Sequence, residues 1–149
     1  MTEIIHLKTA SGETMQAAIA LLNESEAYFT KIENETRGAD APKKSPEIWA
    51  ENELERDAVI LAFLGDIPVG CVRLENWNTT SPVVSLCNLY VIPSARRMGV
   101  GSALVSDAMA NVRRIGRHLD LGVMSENVPG LKFWKKYRMK KIYSWYWMF

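Results

Sequence analysis

Residues 89–105 read LYVIPSARRMGVGSALV and fall into three parts. An apolar strand ends at Pro93, a short loop carries two arginines and two glycines, and an amphipathic helix follows from Ser102. Glycines let a backbone turn sharply and bring its N–H groups close to a ligand. A helix N-terminus adds unpaired N–H donors and partial positive charge, and arginines add full charges. The stretch therefore predicts a strand–loop–helix unit that binds a phosphate or diphosphate group.

This loop differs from the two common nucleotide-binding patterns. It contains no GxxxxGKS/T sequence, and it has only Gly99 and Gly101 where a dinucleotide fingerprint has three glycines. Taken alone, it is also compatible with a helix start whose arginines are solvated. The flanking sequence must decide between these two interpretations.

On both sides of the loop, apolar periodicity indicates alternating strands and helices. Gly65 and Asp66 separate two apolar runs and predict a hairpin turn. Residues 31–46 contain two prolines, a glycine and many charges, which predicts a loop. The predicted strands are 3–8, 58–64, 67–74, 83–92, 119–124 and the tail from 140, and the predicted helices are 14–29, 45–54, 102–115 and 129–137. This order predicts a single α/β domain over residues 1–149, with helices on both faces of one sheet.

Composition limits the class of protein. The chain has 149 residues, of which 48% are apolar, and its 18 basic and 17 acidic residues give a net charge of +1. This balance predicts neither a nucleic-acid partner nor an anionic membrane partner. The N-terminus lacks a basic region followed by an apolar run, and no uninterrupted apolar stretch reaches roughly 18 residues. We therefore expect a soluble, cytoplasmic protein.

Cys71 and Cys87 lie in apolar stretches and have no CxxC partner. Two cysteines alone do not make a structural zinc site, so no metal is expected. The chain has only two histidines, His6 and His118, and nothing in the sequence pairs either with a cysteine. The pattern favours buried free thiols in a reducing compartment over a nucleophilic cysteine.

The motif Arg96-x-x-Gly99-x-Gly101, after an LYVIP strand end, resembles the R/Q-x-x-G-x-G/A signature of the GCN5-related N-acetyltransferase (GNAT) superfamily. The resemblance implies a GNAT-like α/β fold with a mixed, mostly antiparallel sheet flanked by helices on both faces. It implies acetyl-CoA as co-substrate and direct attack by the amine of a small molecule or peptide in a ternary complex. Backbone N–H groups would hold the diphosphate, from Arg96, Arg97, Met98, Gly99, Val100, Gly101 and Ser102. Leu89, Tyr90 and Val91 would pair with the pantetheine arm, and one of their N–H groups would polarise the thioester carbonyl.

A second stretch, residues 127–139 (NVPGLKFWKKYRM), resembles the family segment N-x-x-A-x-x-F-Y-x-x-x-G-F. Asn127 matches the asparagine that contacts the pantetheine arm, and Phe133 matches the apolar position. Four positions depart from the pattern, namely Gly130, Trp134, Arg138 and Met139.

The catalytic acid is the main departure. In much of the family a tyrosine on the last helix protonates the leaving thiolate, and Trp134 occupies that position here. Indole N–H only donates hydrogen bonds, so we consider Tyr137, three residues later on the same helix face, as a substitute. The strand position of the glutamate base found in some members is Ser85 here, and Glu75 and Glu126 remain alternative bases.

Two regions leave their roles open. The region from residue 28 to residue 48 contains Glu33, Glu35 and Asp40, which either suit a cationic acceptor or belong to a solvated loop. The aromatic tail, residues 140–149, predicts a homodimer contact or strand exchange, because so apolar a run needs cover. Two other classes remain: a non-catalytic sensor of CoA or acyl-CoA, which Trp134 favours, and an unrelated phosphate- or nucleotide-binding protein.

Overall fold

A computed structural model describes residues 4–141. These residues form five strands and three helices, joined by loops and short 3-10 turns. The strands are β1 (Ile5–Thr9), β2 (Ala58–Leu64), β3 (Ile67–Glu75), β4 (Val83–Val91) and β5 (His118–Asp120), and the helices are α1 (Met15–Arg37), α2 (Val100–Arg114) and α3 (Val128–Trp134). None of the helices in this part of the chain has the length and apolarity needed to cross a membrane.

The strands form one sheet in the order β1-β2-β3-β4-β5. Every neighbouring pair is antiparallel except β4 and β5, which are parallel. The predicted hairpin is confirmed: Leu64 pairs with Ile67, and Gly65 takes the left-handed conformation (φ 60°) that a two-residue turn requires. The sheet is therefore mixed and mostly antiparallel, as predicted.

Helices cover both faces of this sheet. Leu104, Val105 and Ala108 of α2 pack in one buried cluster with Ile60 and Ala62 of β2. The other cluster joins α1 to the opposite face and includes Ala18, Leu22, Val59, Leu61 and Cys71. Because alternate residues of β2 point into two different cores, the strand is continuously apolar (AVILAFL) rather than alternating. Each fully buried leucine contributes roughly 1.5–3 kcal/mol relative to an exposed one.

Helix α2 rests directly on the sheet at Gly70. A Cβ added there would lie 3.0 Å from the Tyr90 carbonyl oxygen and 3.1 Å from Val100 Cγ1. Only glycine leaves room for so close an approach between the first turn of α2 and the β3–β4 pair. This contact positions the N-terminus of α2 beside the end of β4.

The predicted end of the first helix was wrong. α1 continues through the charged residues to Arg37 and ends at Gly38, whose φ is 87°. An ion pair of 2.9 Å joins Arg37 to Glu33 one turn earlier, and Thr36 Oγ1 donates to the Ile32 carbonyl. Charges that look like a loop in the sequence therefore stabilise an exposed helical turn.

The helix predicted over residues 45–54 was also wrong. Only Glu51–Leu54 forms a single 3-10 turn. The segment before it is held to α1 by side chains: Trp49 N–H donates to Asn23 Oδ1 at 2.6 Å, and Lys44 N–H donates to Asn34 Oδ1 at 2.8 Å. Because these backbone groups pair with α1, they do not form helical bonds of their own.

Other boundaries shift by a few residues. α2 begins at Val100 rather than Ser102, and α3 ends at Trp134, which leaves Tyr137 beyond the helix. β5 ends at Asp120 rather than Met124. The predicted last strand and dimer contact were placed on residues 140–149, of which residues 142–149 lie outside the described residues, so both stay predictions.

Candidate active site

Among residues 4–141, no strand pairs with the second half of β4 on the side away from β3, and we call this side the open edge. β4 pairs with β3 from Ser85 to Val91, whereas β5 pairs only with Val83–Ser85. Ile92 N–H donates to the Val69 carbonyl of β3 at 2.9 Å. Alternation along the strand therefore turns the backbone groups of Val91 and Leu89 away from β3, towards the open edge. An extended ligand chain can hydrogen-bond there in the way that an added strand does.

β4 contains a bulge just before this edge. Cys71 pairs with Tyr90 and Arg73 with Cys87, so one residue of β3 lies opposite two of β4. Asn88 is in the left-handed region (φ 52°) at this point. The extra residue explains why Tyr90 packs in the core on the α1 side of the sheet.

The loop after β4 leads into an anion-binding arrangement. Arg97 (φ 63°) and Gly99 (φ 84°) both take left-handed conformations, and Gly99 caps α2. The first intrahelical bond runs from Ala103 N–H to the Gly99 carbonyl at 3.0 Å. The N–H groups of Val100, Gly101 and Ser102 precede that bond and point out of the helix start. They add to the positive end of the helix dipole, so this is a site for a phosphate group.

Helix α3 packs on this same turn. A Cβ added at Gly101 would lie 3.4 Å from the Phe133 ring, and Lys136 Nζ donates to Ser102 Oγ at 2.6 Å. The ammonium group of Lys136 is repelled by the positive end of α2 unless an anion or water lies close to it. Lys136 therefore adds to the positive potential of the predicted diphosphate site.

Arg96 has a different role from the one its charge suggests. Its Nε donates to the Val91 carbonyl at 2.8 Å, and its guanidinium lies 5.0 Å from the ring centre of Tyr28 and 5.6 Å from that of Tyr90. The side chain thus ties the loop to β4 and α1. Burial and the carboxylate of Glu24 raise the pKa of Tyr90 above its usual value of 10.0, so the phenol is protonated at neutral pH. Arg97 and Met98 are exposed.

Asn127 begins α3. Its Oδ1 accepts from Gly130 N–H at 3.1 Å, and only 8% of the residue is exposed. A Cβ added at Gly130 would lie 2.5 Å from Asn127 Nδ2. The glycine that replaces the family alanine therefore fits this conformation of Asn127. Contact between Asn127 and a pantetheine arm stays a prediction.

Trp134 and Tyr137 belong to a cluster of aromatic rings with Phe133. The ring centres lie 5.0 Å apart for Phe133 and Trp134, 5.8 Å for Phe133 and Tyr137, and 5.3 Å for Trp134 and Tyr137. All three are partly buried against the core on the α2 side. Among residues 4–141, the Tyr137 hydroxyl makes no hydrogen bond. Its role as an acid stays a prediction.

Three polar side chains share one face of the sheet next to the bulge. Glu75 pairs with Ser85, and Ser85 pairs with Asp120, so they form a row across β3, β4 and β5. Ser85 Oγ hydrogen-bonds to the Asp120 carboxylate. Asp120 is exposed and Glu75 is half-buried. The other suggested base, Glu126, is exposed just before α3.

Cys87 lies beside this row and is only partly buried, whereas Cys71 is fully buried. Both are free thiols in the structure. Burial raises the pKa of Cys71 to about 12. Burial is also the main reason that the pKa of Cys87 rises to about 11, with carboxylates such as Glu75 adding to the rise and Arg73 opposing it. Neither thiol ionises at neutral pH, which argues against a nucleophilic cysteine.

Two of the carboxylates predicted for the acceptor side, Glu33 and Glu35, lie in the last turns of α1. Glu33 forms ion pairs with Arg37 at 2.9 Å and Lys44 at 3.3 Å. A surface depression of about 390 Å³ lies beside them, and its charged lining residues are Glu35 and the three lysines Lys31, Lys43 and Lys44. This basic hollow does not suit a cationic amine. No group of histidine, cysteine and carboxylate side chains able to hold a metal occurs within the described part of the chain.

Sequence reasoning missed Asn88, Arg73 and Asp120. Two of them could have been found, because Asn88 and Arg73 are polar residues inside strongly apolar strands, a pattern typical of a bulge or a buried network. Asp120 could not, because it is 35 positions from Ser85 in the chain and only strand pairing brings the two together.

Comparison with known proteins agrees with this geometry. The model of the acetyltransferase (GNAT) family matches residues 19–138. No match was found among curated proteins. Three solved structures similar to this chain share only 15–16% identity with it, so they show the fold alone.

All three are acetyltransferases. An aminoglycoside acetyltransferase from an uncultured soil metagenomic sample has 16% identity and a TM-score of 0.65, over 97% of this chain and 96% of that one. A ribosomal-protein-alanine N-acetyltransferase from Brucella melitensis biovar Abortus 2308 has 15% identity and a TM-score of 0.68, over 97% of both chains. An N-acetyltransferase from Thermoplasma acidophilum in complex with coenzyme A has 16% identity and a TM-score of 0.63, over 89% of this chain and 87% of that one.

Proposed function

Because the chain belongs to the acetyltransferase (GNAT) family, we propose that it transfers the acetyl group of acetyl-CoA to an amine of a small molecule or peptide. One observation carries the proposal: the open edge of β4 leads directly into the glycine-containing loop at the start of α2. A flexible thioester arm with a diphosphate at one end has the shape and charge that such an arrangement recognises.

The cofactor would lie along these elements in a defined order. The diphosphate would bind the backbone N–H groups of residues 97–102, with Lys136 nearby, because the Arg96 N–H already donates to the Pro93 carbonyl at 3.3 Å. The pantetheine arm would run along β4 and hydrogen-bond to the backbone of Val91 and Leu89, and Asn127 would contact it from the start of α3. Tyr90 would not bond to the arm itself: its ring is buried on the α1 side and its backbone faces Cys71 of β3, so it would hold the strand between Leu89 and Val91.

The reaction would be direct attack in a ternary complex. The amine nitrogen forms a bond to the acetyl carbon, the C–S bond breaks, the amine loses a proton and the CoA thiolate gains one. A backbone N–H at the open edge, such as that of Leu89, would stabilise the oxyanion. Tyr137 is the candidate proton donor to the thiolate. Positioning of the two reactants alone can contribute roughly 7–11 kcal/mol, so catalysis does not depend on a strong acid.

The acceptor would approach from the α1 side of the sheet. Glu75 and Asp120 lie there with Ser85 in register beside the bulge. Two carboxylates suit an ammonium group and would accept its proton directly or through water. The free thiols of Cys71 and Cys87 support a reducing, cytoplasmic location.

A thiol-release assay tests the proposal. The protein is mixed with acetyl-CoA and a panel of amines that includes polyamines, amino acids, aminoglycosides and peptides, and free thiol is followed. Turnover with any amine supports the transferase. Calorimetric binding of acetyl-CoA without turnover across the panel would instead favour a non-catalytic acyl-CoA sensor, the function that Trp134 suggests. Absence of binding would refute both.

A further inference from the structure

Asn88 uses its whole side-chain amide at the bulge of β4. Arg73 Nε donates to its Oδ1 at 2.9 Å, and its Nδ2 donates to Ser25 Oγ at 3.0 Å and to Glu26 Oε1 at 2.8 Å. Ser25 is fully buried, and only 8% of the Arg73 side chain is exposed. The amide therefore ties β4 to strand β3 on one side and to helix α1 on the other. We call these four residues the bulge clamp.

The chemistry of the bulge clamp requires an amide. A guanidinium only donates, so Arg73 needs an acceptor, and an ionised carboxylate only accepts, so Glu26 needs a donor. Asparagine supplies both and also tolerates the left-handed backbone found here. Aspartate would keep the bond to Arg73 but turn a second carboxylate oxygen towards Glu26. Glycine would keep the backbone conformation and lose every bond of the clamp.

Arg73 is itself held in place. Its NH1 donates to Asp57 at 2.8 Å and to Glu75 at 3.2 Å, and its guanidinium covers the ring of Trp49 at 4.5 Å. Trp49 Nε1 also donates to Glu26 Oε1 at 3.0 Å, the same oxygen that accepts from Asn88. The segment before β2 and the bulge therefore share one carboxylate as support.

The bulge determines which backbone groups face the open edge. With the extra residue present, Ile92 N–H pairs with Val69 and the groups of Leu89 and Val91 face outward. Without it, alternation would turn those groups into the sheet. We propose that Asn88 is a positioning residue for acetyl transfer, because its clamp holds the bulge that turns Leu89 N–H towards the thioester carbonyl. This inference rests on the proposed function.

Carbon-13 NMR of acetyl-CoA labelled at the carbonyl carbon detects the hydrogen bond from Leu89 N–H to the thioester carbonyl, and it does not require turnover. Bound to the unmodified protein, the carbonyl signal should move downfield from that of free acetyl-CoA, because the N–H polarises the C=O bond. Asn88→Gly and Asn88→Asp should lose this displacement and lower kcat about 100-fold. Their affinity for CoA itself should stay unchanged, because the diphosphate site lies elsewhere.

Asn76→Gly is the matched control. Asn76 also has a left-handed backbone (φ 67°), in the turn after β3, and its side chain has no hydrogen bond to any residue from 4 to 141. It should keep both the signal and kcat. A double variant that exchanges the amide and the carboxylate adds a second test. In Asn88→Asp/Glu26→Gln the glutamine amide can donate to the aspartate, so kcat should partly recover relative to Asn88→Asp.

Two results would overturn the inference. One is a carbonyl signal and a kcat in both Asn88 variants equal to those of the unmodified protein. The other is a double variant no better than Asn88→Asp. If Asn88→Gly fails to fold, Asn88→Asp, which keeps the Arg73 contact, carries the comparison. If the unmodified protein does not bind acetyl-CoA, the proposed function itself fails. If it binds acetyl-CoA without turnover, the carbonyl signals of the unmodified protein and the Asn88 variants decide whether Asn88 positions the Leu89 N–H.

Discussion

Replacement of Gly101 by aspartate tests the assignment of the diphosphate site. The position lies in the first turn of α2, where the backbone N–H groups point out of the helix. A Cβ there would meet Phe133 at 3.4 Å and Val91 Cγ2 at 3.9 Å, which are ordinary contacts. A Cβ therefore fits without displacing α3, and a comparison of the aspartate and alanine variants isolates the effect of charge.

The magnitude follows from Coulomb's law. A carboxylate about 5 Å from one phosphate charge is disfavoured by about 3 kcal/mol at an effective dielectric constant of about 20. Solvent exposure and salt at this surface position reduce the penalty to about 1–2 kcal/mol, equivalent to a roughly 5- to 30-fold weaker affinity for CoA. The fold itself should not suffer, because an acidic residue in the first turn of a helix is favourable by about 0.3–1 kcal/mol.

Calorimetric titration with CoA measures the effect, and Gly101→Ala is the control. Alanine adds the same Cβ without charge, and it should stabilise the helix by about 0.5–1 kcal/mol. We expect Gly101→Ala to bind CoA with the affinity of the unmodified protein. The difference in CoA affinity between Gly101→Asp and Gly101→Ala should become smaller at high salt. Equal affinities of Gly101→Asp and Gly101→Ala would refute the placement of the diphosphate at this turn.

Three other substitutions or reactions have defined outcomes. Gly70→Ala should lower the free energy of unfolding by about 1–3 kcal/mol, because its Cβ would lie 3.0 Å from the Tyr90 carbonyl oxygen and 3.1 Å from Val100 Cγ1; an unchanged urea midpoint would contradict the close approach of α2. Cys87 should resist iodoacetamide at neutral pH and react only as the pH nears its raised pKa of about 11, because the thiolate forms there; fast alkylation of this thiol at pH 7, followed by mass spectrometry, would show the opposite. Tyr137→Phe should lower kcat at least about 100-fold with little change in KM for acetyl-CoA, and an unaltered kcat would exclude this tyrosine as the acid.

The amino-acid sequence by itself determined the strand–loop–helix unit of residues 89–105. Pro93 ends a strand, Gly99 takes a left-handed conformation and caps a helix, and the apolar period changes within a few residues. The Gly65–Asp66 turn was equally predictable, because both strands and the turn lie next to one another in the chain. These features depend on local backbone sterics and short-range periodicity, which a sequence states directly.

Residues between α1 and β2 show where local reasoning ends. The charges before Gly38 look like a loop, yet they form the last turns of α1, and Pro46 looks like a helix start, yet no helix follows it. Trp49 is instead held by Asn23 and Glu26, more than twenty positions earlier in the chain. Local propensity was overridden there by contacts with α1.

Only the tertiary structure decided the acceptor side and the bulge. The row of Glu75, Ser85 and Asp120 exists because β5 joins β4 in a parallel register, and the amide of Asn88 at the bulge bonds to Arg73 and Glu26. Each of these contacts joins residues that are well separated in the chain. Their register is determined by how both cores pack against the sheet, and a local pattern of residues contains no record of that packing.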